Sequence, residues 1–167
     1  MTEKICTLLF LRRENEILLA MKKRGFGSHR YNGVGGKLDP GETIEAALIR
    51  ECQEEIGVTP INFWKVAEHD FRQEESDQPW RMYVHVYLCD KWEGEPIETD
   101  EMAPEWFQIE NIPYNKMWQD DAHWLPQVLA GDKIYGQFTF DPADTMLTYT
   151  INNAPTLPGV IPTAAKG

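Results

Sequence analysis

Residues 36 to 58 bring several carboxylates to spacings that could hold a divalent cation. Glu51, Glu54 and Glu55 stand at i, i+3 and i+4, so on a helix they share one arc, where like charges repel by a few tenths of a kcal/mol per pair. Another carboxylate, Glu42, closes the glycine-rich run "GVGGKLDPGE" just upstream. Arg50 adds a planar guanidinium that can grip a carboxylate at two points. All-oxygen ligands suit magnesium, which keeps several waters and completes its shell with substrate phosphates. The chemistry open to such a cluster is attack of an activated water on a diphosphate, without a covalent protein intermediate. Taken alone, "RECQEE" reads first as the solvated face of a helix. The loop and Glu42 in front of it shift that reading toward a metal site.

The elements that must position these groups follow from periodicity. Ile44, Leu48, Cys52 and Ile56 form an apolar stripe along "TIEAALIRECQEEIG", a helix with a glycine stop. Apolar runs at 4–12 and 16–21 around "RREN" predict a hairpin, and further strands are expected at 62–72, 82–90 and 104–108. A second helix is expected over 121–130, with Pro126 at odds with its middle. "KIYGQFTF" and "TMLTYTI" flank the turn "DPAD" as a last hairpin. The expectation is an α/β domain with a mixed sheet spanning residues 1–151, followed by a disordered tail over 152–167.

Composition limits the functions available. A chain of 167 residues fits one compact domain, and no apolar run reaches the ~20 residues that cross a bilayer. The opening strand does not read as a signal peptide, so the expected location is cytoplasmic. Cys6, Cys52 and Cys89 are too few and too scattered for a disulfide framework and read as small buried hydrophobes. A net charge of −11 disfavours a nucleic-acid duplex or a membrane as partner. A small polyanion would need a local device: a metal, or a basic cluster such as Lys22, Lys23, Arg24 and Arg30. The expected partner is therefore a small nucleotide, met by a monomer. His85 reads as structural, and His29, His69 and His123 have no metal-ligand spacing.

Gly36, Glu42, Arg50, Glu51, Cys52, Glu54, Glu55, Gly57 and Val58 match the pattern G-x5-E-x7-R-E-U-x-E-E-x-G-U without a gap, where U is apolar. The chain thus resembles the Nudix hydrolases, which implies an α/β/α sandwich around a mixed sheet. It also implies metal ligation by Glu51 and Glu55, with Glu54, Glu42, the Gly36 backbone and Glu101 close by, and Arg50 orienting the cluster through a carboxylate such as Glu42. Magnesium is the implied cofactor, with manganese as its substitute, and Arg50, Glu51, Glu54 and Glu55 are the implied catalytic set.

Within the family, "MKKRGFGSHRYNGVGGK", "YVHVY", "ETDEMAPEWFQIENIP" and "MWQDDAHWLP" are similar to the animal-type enzymes that hydrolyse oxidised purine nucleoside triphosphates. That similarity implies that Trp118 stacks on the base, Asp120 and Asp121 bond its edge, and Asn32 bonds it from the other side. Phe26, Phe71, Met82 and Trp124 would be apolar walls, and Thr7 and Lys22 would join the substrate site. Two adjacent carboxylates repel, so one can keep a proton and the pair can offer both a donor and an acceptor. An oxidised purine edge, with an N7 donor and an O8 acceptor, needs both. Read without the resemblance, "WQDDAHW" is a helix start with Asp120 as N-cap and the tryptophans in the core. The polar stretch "HDFRQEESDQPWRM" departs from the animal enzymes and leaves room for another Nudix substrate: a dinucleoside polyphosphate, an ADP-ribose or a capped RNA end. A silent nucleotide-binding domain is the reading from a different class.

Overall fold

A computed structural model describes residues 1–157 and 159–164. Eight strands make one mixed sheet: β1 (Thr2–Arg13), β2 (Glu16–Lys22), β3 (Tyr31–Asn32), β4 (Thr59–Gln73), β5 (Trp80–Glu93), β6 (Met102–Gln108), β7 (Ile134–Phe140) and β8 (Met146–Asn153). Two helices, α1 (Ile44–Ile56) and α2 (Asp121–Leu129), complete it. The strand order is β3-β2-β1-β5-β4-β7-β8, with β6 pairing β2. β1–β5 and β4–β7 are parallel and the other pairs antiparallel.

Side-chain alternation along the strands feeds two cores. Leu9, Leu11, Leu18, Tyr87 and Cys89 pack with the α1 stripe on one face. Phe10, Ile17, Leu19, Val84, Val86 and Leu88 pack with Trp124, Leu125 and Val128 of α2 on the other. Each fully buried apolar side chain contributes about 1.5–3 kcal/mol, so the sheet is stabilised from both faces and the α/β/α layering is as expected. Pro126 lies inside α2, where Ala130 still donates to the Pro126 carbonyl at 3.1 Å.

The expected hairpin of β1 and β2 is only a short pairing, Arg12↔Ile17 and Arg13↔Glu16. Below it β1 runs parallel to β5, from Thr2↔Trp80 to Leu11↔Cys89. The other edge of β1 is taken by the glycine loop, through bridges Leu9↔Val34 and Cys6↔Lys37. This seating brings the loop in front of α1 against the strand that carries Thr7.

The tail departs from the disorder expected of residues 152–167. β8 continues to Asn153, and backbone N–H groups of Gly159, Val160 and Ile161 donate to the buried Glu68 carboxylate at 3.2, 2.9 and 2.9 Å. Burial alone would raise the pKa of Glu68, but Lys65 and these amides hold it below the ordinary carboxylate value. His85 Nε2 lies 2.8 Å from the Pro162 carbonyl, and Ile161 is buried. A buried carboxylate, rather than hydrophobic periodicity, anchors this stretch. Residues 158 and 165–167 of the expected tail lie outside the described residues.

Candidate active site

Helix α1 is cut to length by its ends. Thr43 Oγ1 accepts from the Ala46 amide at 3.1 Å, an N-cap worth about 1 kcal/mol. At the other end Gly57 takes a left-handed φ of 70° that lets its N–H reach the Cys52 and Gln53 carbonyls. With the apolar stripe committed to the core, Glu51, Glu54 and Glu55 must face the glycine loop.

Arg50 is the hub of this region. Its Nε and Nη2 donate to the two oxygens of Glu42 at 2.7 and 2.9 Å, a two-point contact. Its Nη1 donates to Glu51 at 2.9 Å and to Glu54 at 3.2 Å, and its Nη2 also reaches the Lys37 carbonyl at 3.2 Å. The Arg50 hydrogen bond, helped by the Asp39 amide, holds Glu42 down to about 2. Burial pushes Glu51 up, against the pull of Arg50. It pushes Glu55 up as well, and the neighbouring charges of Glu51 and Glu101 add to the effect.

Gly35 donates to Glu55 Oε2 at 3.1 Å, and Gly36 passes so close to Glu51 that a Cβ there would stand 2.6 Å from its Cδ. The Gly36 carbonyl accepts from the Thr7 amide at 2.9 Å. Glutamates 42, 51, 54, 55 and 101 are therefore balanced chiefly by one guanidinium. Their all-oxygen chemistry fits a hard divalent cation, which would relieve the crowding felt at Glu51 and Glu55. As placed, Arg50 holds three of the carboxylates, and no three His, Cys, Asp or Glu side chains among the described residues converge on one point.

Beside the glutamates opens a cavity of ≈ 310 Å³. Thr7, Gly36 and Glu55 line it where it adjoins α1, and Asn32, Asp120 and Asp121 face it from β3 and the start of α2. Asp120 and Asp121 are buried, and burial raises both carboxyls, with the charge of Asp120 adding to the rise at Asp121. Asp120 does not cap its helix; its Oδ2 accepts from Trp124 Nε1 at 2.8 Å. Thr7 Oγ1 and Asp121 Oδ2 are buried with no hydrogen-bond partner. Such orphaned groups cost about 1–3 kcal/mol each unless a ligand or water meets them.

A NUDIX domain model matches residues 3–128, three quarters of the chain. The chain belongs to the Nudix family. It is 41% identical over 150 residues to the oxidized purine nucleoside triphosphate hydrolase of Mus musculus, covering 90% of this chain and 95% of that protein. The Danio rerio protein of the same name is 41% identical over 151 residues, covering 90% and 96%. Among solved structures, a mutator MutT protein from Bacillus halodurans superimposes with a TM-score of 0.77 at 22% identity, covering 89% of this chain and 97% of that one, which establishes a shared fold.

Every base-site residue expected from the resemblance lies on this Nudix cavity: Thr7, Lys22, Phe26, Asn32, Phe71, Met82, Trp118, Asp120, Asp121 and Trp124. Besides Asp120 and Trp124, which bond each other, two more of them are already engaged. Lys22 Nζ donates to the Phe26 carbonyl at 2.6 Å, tying the 23–30 loop, and Asn32 Oδ1 accepts from the Gly33 amide at 2.8 Å. Trp118 carries the Arg30 guanidinium 4.1 Å from its ring centre, a contact worth about 0.5–1 kcal/mol. Cys52 and Cys89 are buried as expected, whereas Cys6 faces the cavity. Burial raises its thiol to about 11 and makes it a poor nucleophile.

Leu8, Trp80, Phe140, Lys4 and Lys37 also line the cavity without having been expected there. Alternation with Met82 could have flagged Trp80. Phe140 carries no local signal, because its place depends on β7 pairing with β4.

Proposed function

We propose that this Nudix hydrolase cleaves oxidised purine nucleoside triphosphates, 8-oxo-dGTP foremost, to the monophosphate and pyrophosphate with magnesium as its cation. The observation that carries the reading is the pair of buried, partnerless polar atoms, Thr7 Oγ1 and Asp121 Oδ2, in a cavity that also holds Asp120 and adjoins the glutamate helix. The names of the mouse and fish relatives point the same way.

The chemistry follows from what each group can donate. With one proton retained between Asp120 and Asp121, the pair offers a donor to O8 and an acceptor to N7–H. Trp124 Nε1 fixes which Asp120 oxygen accepts its hydrogen bond. Ordinary guanine lacks the N7 proton and would leave an acceptor unmatched, which is costly in a buried site. The cation, when bound, neutralises phosphate charge and lowers the pKa of an attacking water. Glu42, Glu51 and Glu55 would hold it, with Glu101 at the edge of the cluster. Glu54, more than half exposed and bonded to Arg50, would take the proton of the attacking water. Arg50 keeps the carboxylates in register. On this reading the enzyme works as a monomer on free nucleotides of the cytoplasm; the net charge of −11 supports a small substrate over a polyanionic surface.

The test is product analysis. Incubation of 8-oxo-dGTP with the protein and magnesium should give 8-oxo-dGMP and pyrophosphate, with activity lost to chelator. Asp121→Asn should lower kcat/KM by at least about 10-fold. Release of orthophosphate and the diphosphate, or turnover that survives chelation, would contradict the assignment.

A further inference from the structure

The pocket has an aromatic wall in which two of four rings, Trp80 and Phe140, are not accounted for by the family resemblance. Trp80 is the first residue of β5, and the pleat that turns Met82 and Val84 toward the cavity turns Trp80 the same way. Its indole meets Phe26 edge-on at 5.7 Å and leans over Phe140 at 6.3 Å. Trp118 closes the circuit, 5.2 Å from Phe26 and 5.7 Å from Phe140. All four rings line the cavity. Centroid separations of this size are those of rings in direct contact, so neighbouring members leave no opening between them for a substituent of the base.

The four rings arrive from separate parts of the chain: the 23–30 loop, β5, the turn before α2, and β7. Trp80 is anchored on both sides, its backbone paired with Gln73 of β4 and Thr2 of β1. Phe26 is half exposed on its loop and rests against Trp80 and Trp118. The fixed strand residue therefore holds the loop residue in the wall. Taking away the indole would open the wall between Phe26 and Phe140 and leave Phe26 with one ring contact instead of two.

We propose that Trp80 is a specificity-determining residue that sets the width of the base pocket, closing an aromatic wall that admits a bare or oxidised purine and refuses one bearing a bulky substituent. This rests on the substrate reading above and adds to it the limit on what the base carries. An indole neither titrates nor binds magnesium, so its contribution belongs to binding and to the choice among bases. The bond-breaking step is left to the glutamates.

The experiment compares wild type, W80A and W80F on 8-oxo-dGTP and on N2-benzyl-dGTP and C8-phenyl-dGTP, with calorimetric binding of 8-oxo-dGMP alongside. W80A should raise the KM for 8-oxo-dGTP and the Kd for 8-oxo-dGMP by about 10-fold, with kcat within about 2-fold, as expected for lost stacking remote from the chemistry. Its kcat/KM for at least one bulky nucleotide, relative to 8-oxo-dGTP, should rise by about 10-fold. W80F, which keeps a ring and supports folding if W80A does not, should move the same quantities in the same direction by less. A ratio of bulky to small substrate unchanged in both variants, or a fall in kcat alone, would overturn the proposal. If wild type neither binds 8-oxo-dGMP nor turns over 8-oxo-dGTP, the substrate reading fails and this inference with it. If it does both while the ratio stays put, this inference alone fails.

Discussion

Gly36 and Glu51 show how closely single atoms constrain the site. A methyl group at Gly36 would stand 2.6 Å from the Glu51 carboxylate, the movable end of a side chain. Gly36→Ala should therefore displace Glu51 and cost activity more than stability: a fall in kcat of about 10-fold or more with Tm within a few degrees. Equal kcat in the variant would show that Glu51 need not lie where it does. Asp121 makes the opposite trade. Its raised pKa means that the folded chain keeps a proton the unfolded chain has shed, so the folded state binds more protons above the ordinary value of 3.8. Stability is then fullest below 3.8 and declines as pH rises through about 6 for Asp120 and through the raised pKa of Asp121. Asp121→Asn has no charge to bury. It should melt about 3–6 °C above wild type at pH 7, with a flatter dependence between pH 4 and 7, while losing activity. A thermal scan in which wild type is the more stable at pH 7 would contradict this. At this scale the glutamate cluster was legible, because its spacing is confined to one loop and one helix. The engagement of Lys22 with the Phe26 carbonyl was not, since a lysine carries no mark of which acceptor it will find.

At the scale of elements, β4 explains most of what periodicity left open. Its residues alternate between a face with Glu68 and Asp70 and a face with His69 and Phe71, polar groups on both, so no hydrophobic pattern reveals its neighbours. Asp70 is satisfied by Arg81 at 2.9 and 2.7 Å, which explains a polar stretch running into a buried strand. His69 is fully buried in the core, 4.5 Å from the Trp124 ring and 5.1 Å from that of Phe138, and burial lowers its pKa to about 3, so it is neutral. The parallel partner β7 accommodates it through Gly136, where a Cβ would stand 2.6 Å from His69 Nδ1 and 2.5 Å from Phe138 Cε2. Gly136→Ala should lower stability by about 1–3 kcal/mol, read as a lower urea midpoint. An unchanged midpoint would contradict a close β4–β7 contact at Gly136. Both helices and most strands were legible from period and punctuation. The two-residue β3 and the parallel pairings were not, because they depend on segments distant in sequence.

Across the whole molecule, a mixed sheet holds two acidic groups beside one cavity: glutamates from α1, proposed to hold the cation, and the aspartates at the start of α2, proposed to meet the base. Neither is complete without the sheet, since β1 carries Thr7 between them and the loop 33–37 is pinned to β1. The tail folds back onto Glu68, so the described chain extends past the 1–151 limit expected for its domain. The separation of tasks makes a direct demand on substrate choice. On the proposed reading the glutamate cluster would engage the polyphosphate alone, so the choice of an oxidised over an ordinary purine would come from the aspartate end. The most direct measurement is kcat/KM for 8-oxo-dGTP against dGTP under identical magnesium and pH. The account predicts a preference of at least about 10-fold for the oxidised nucleotide, abolished in Asp121→Asn. Equal values for the two nucleotides in the wild-type protein would contradict it.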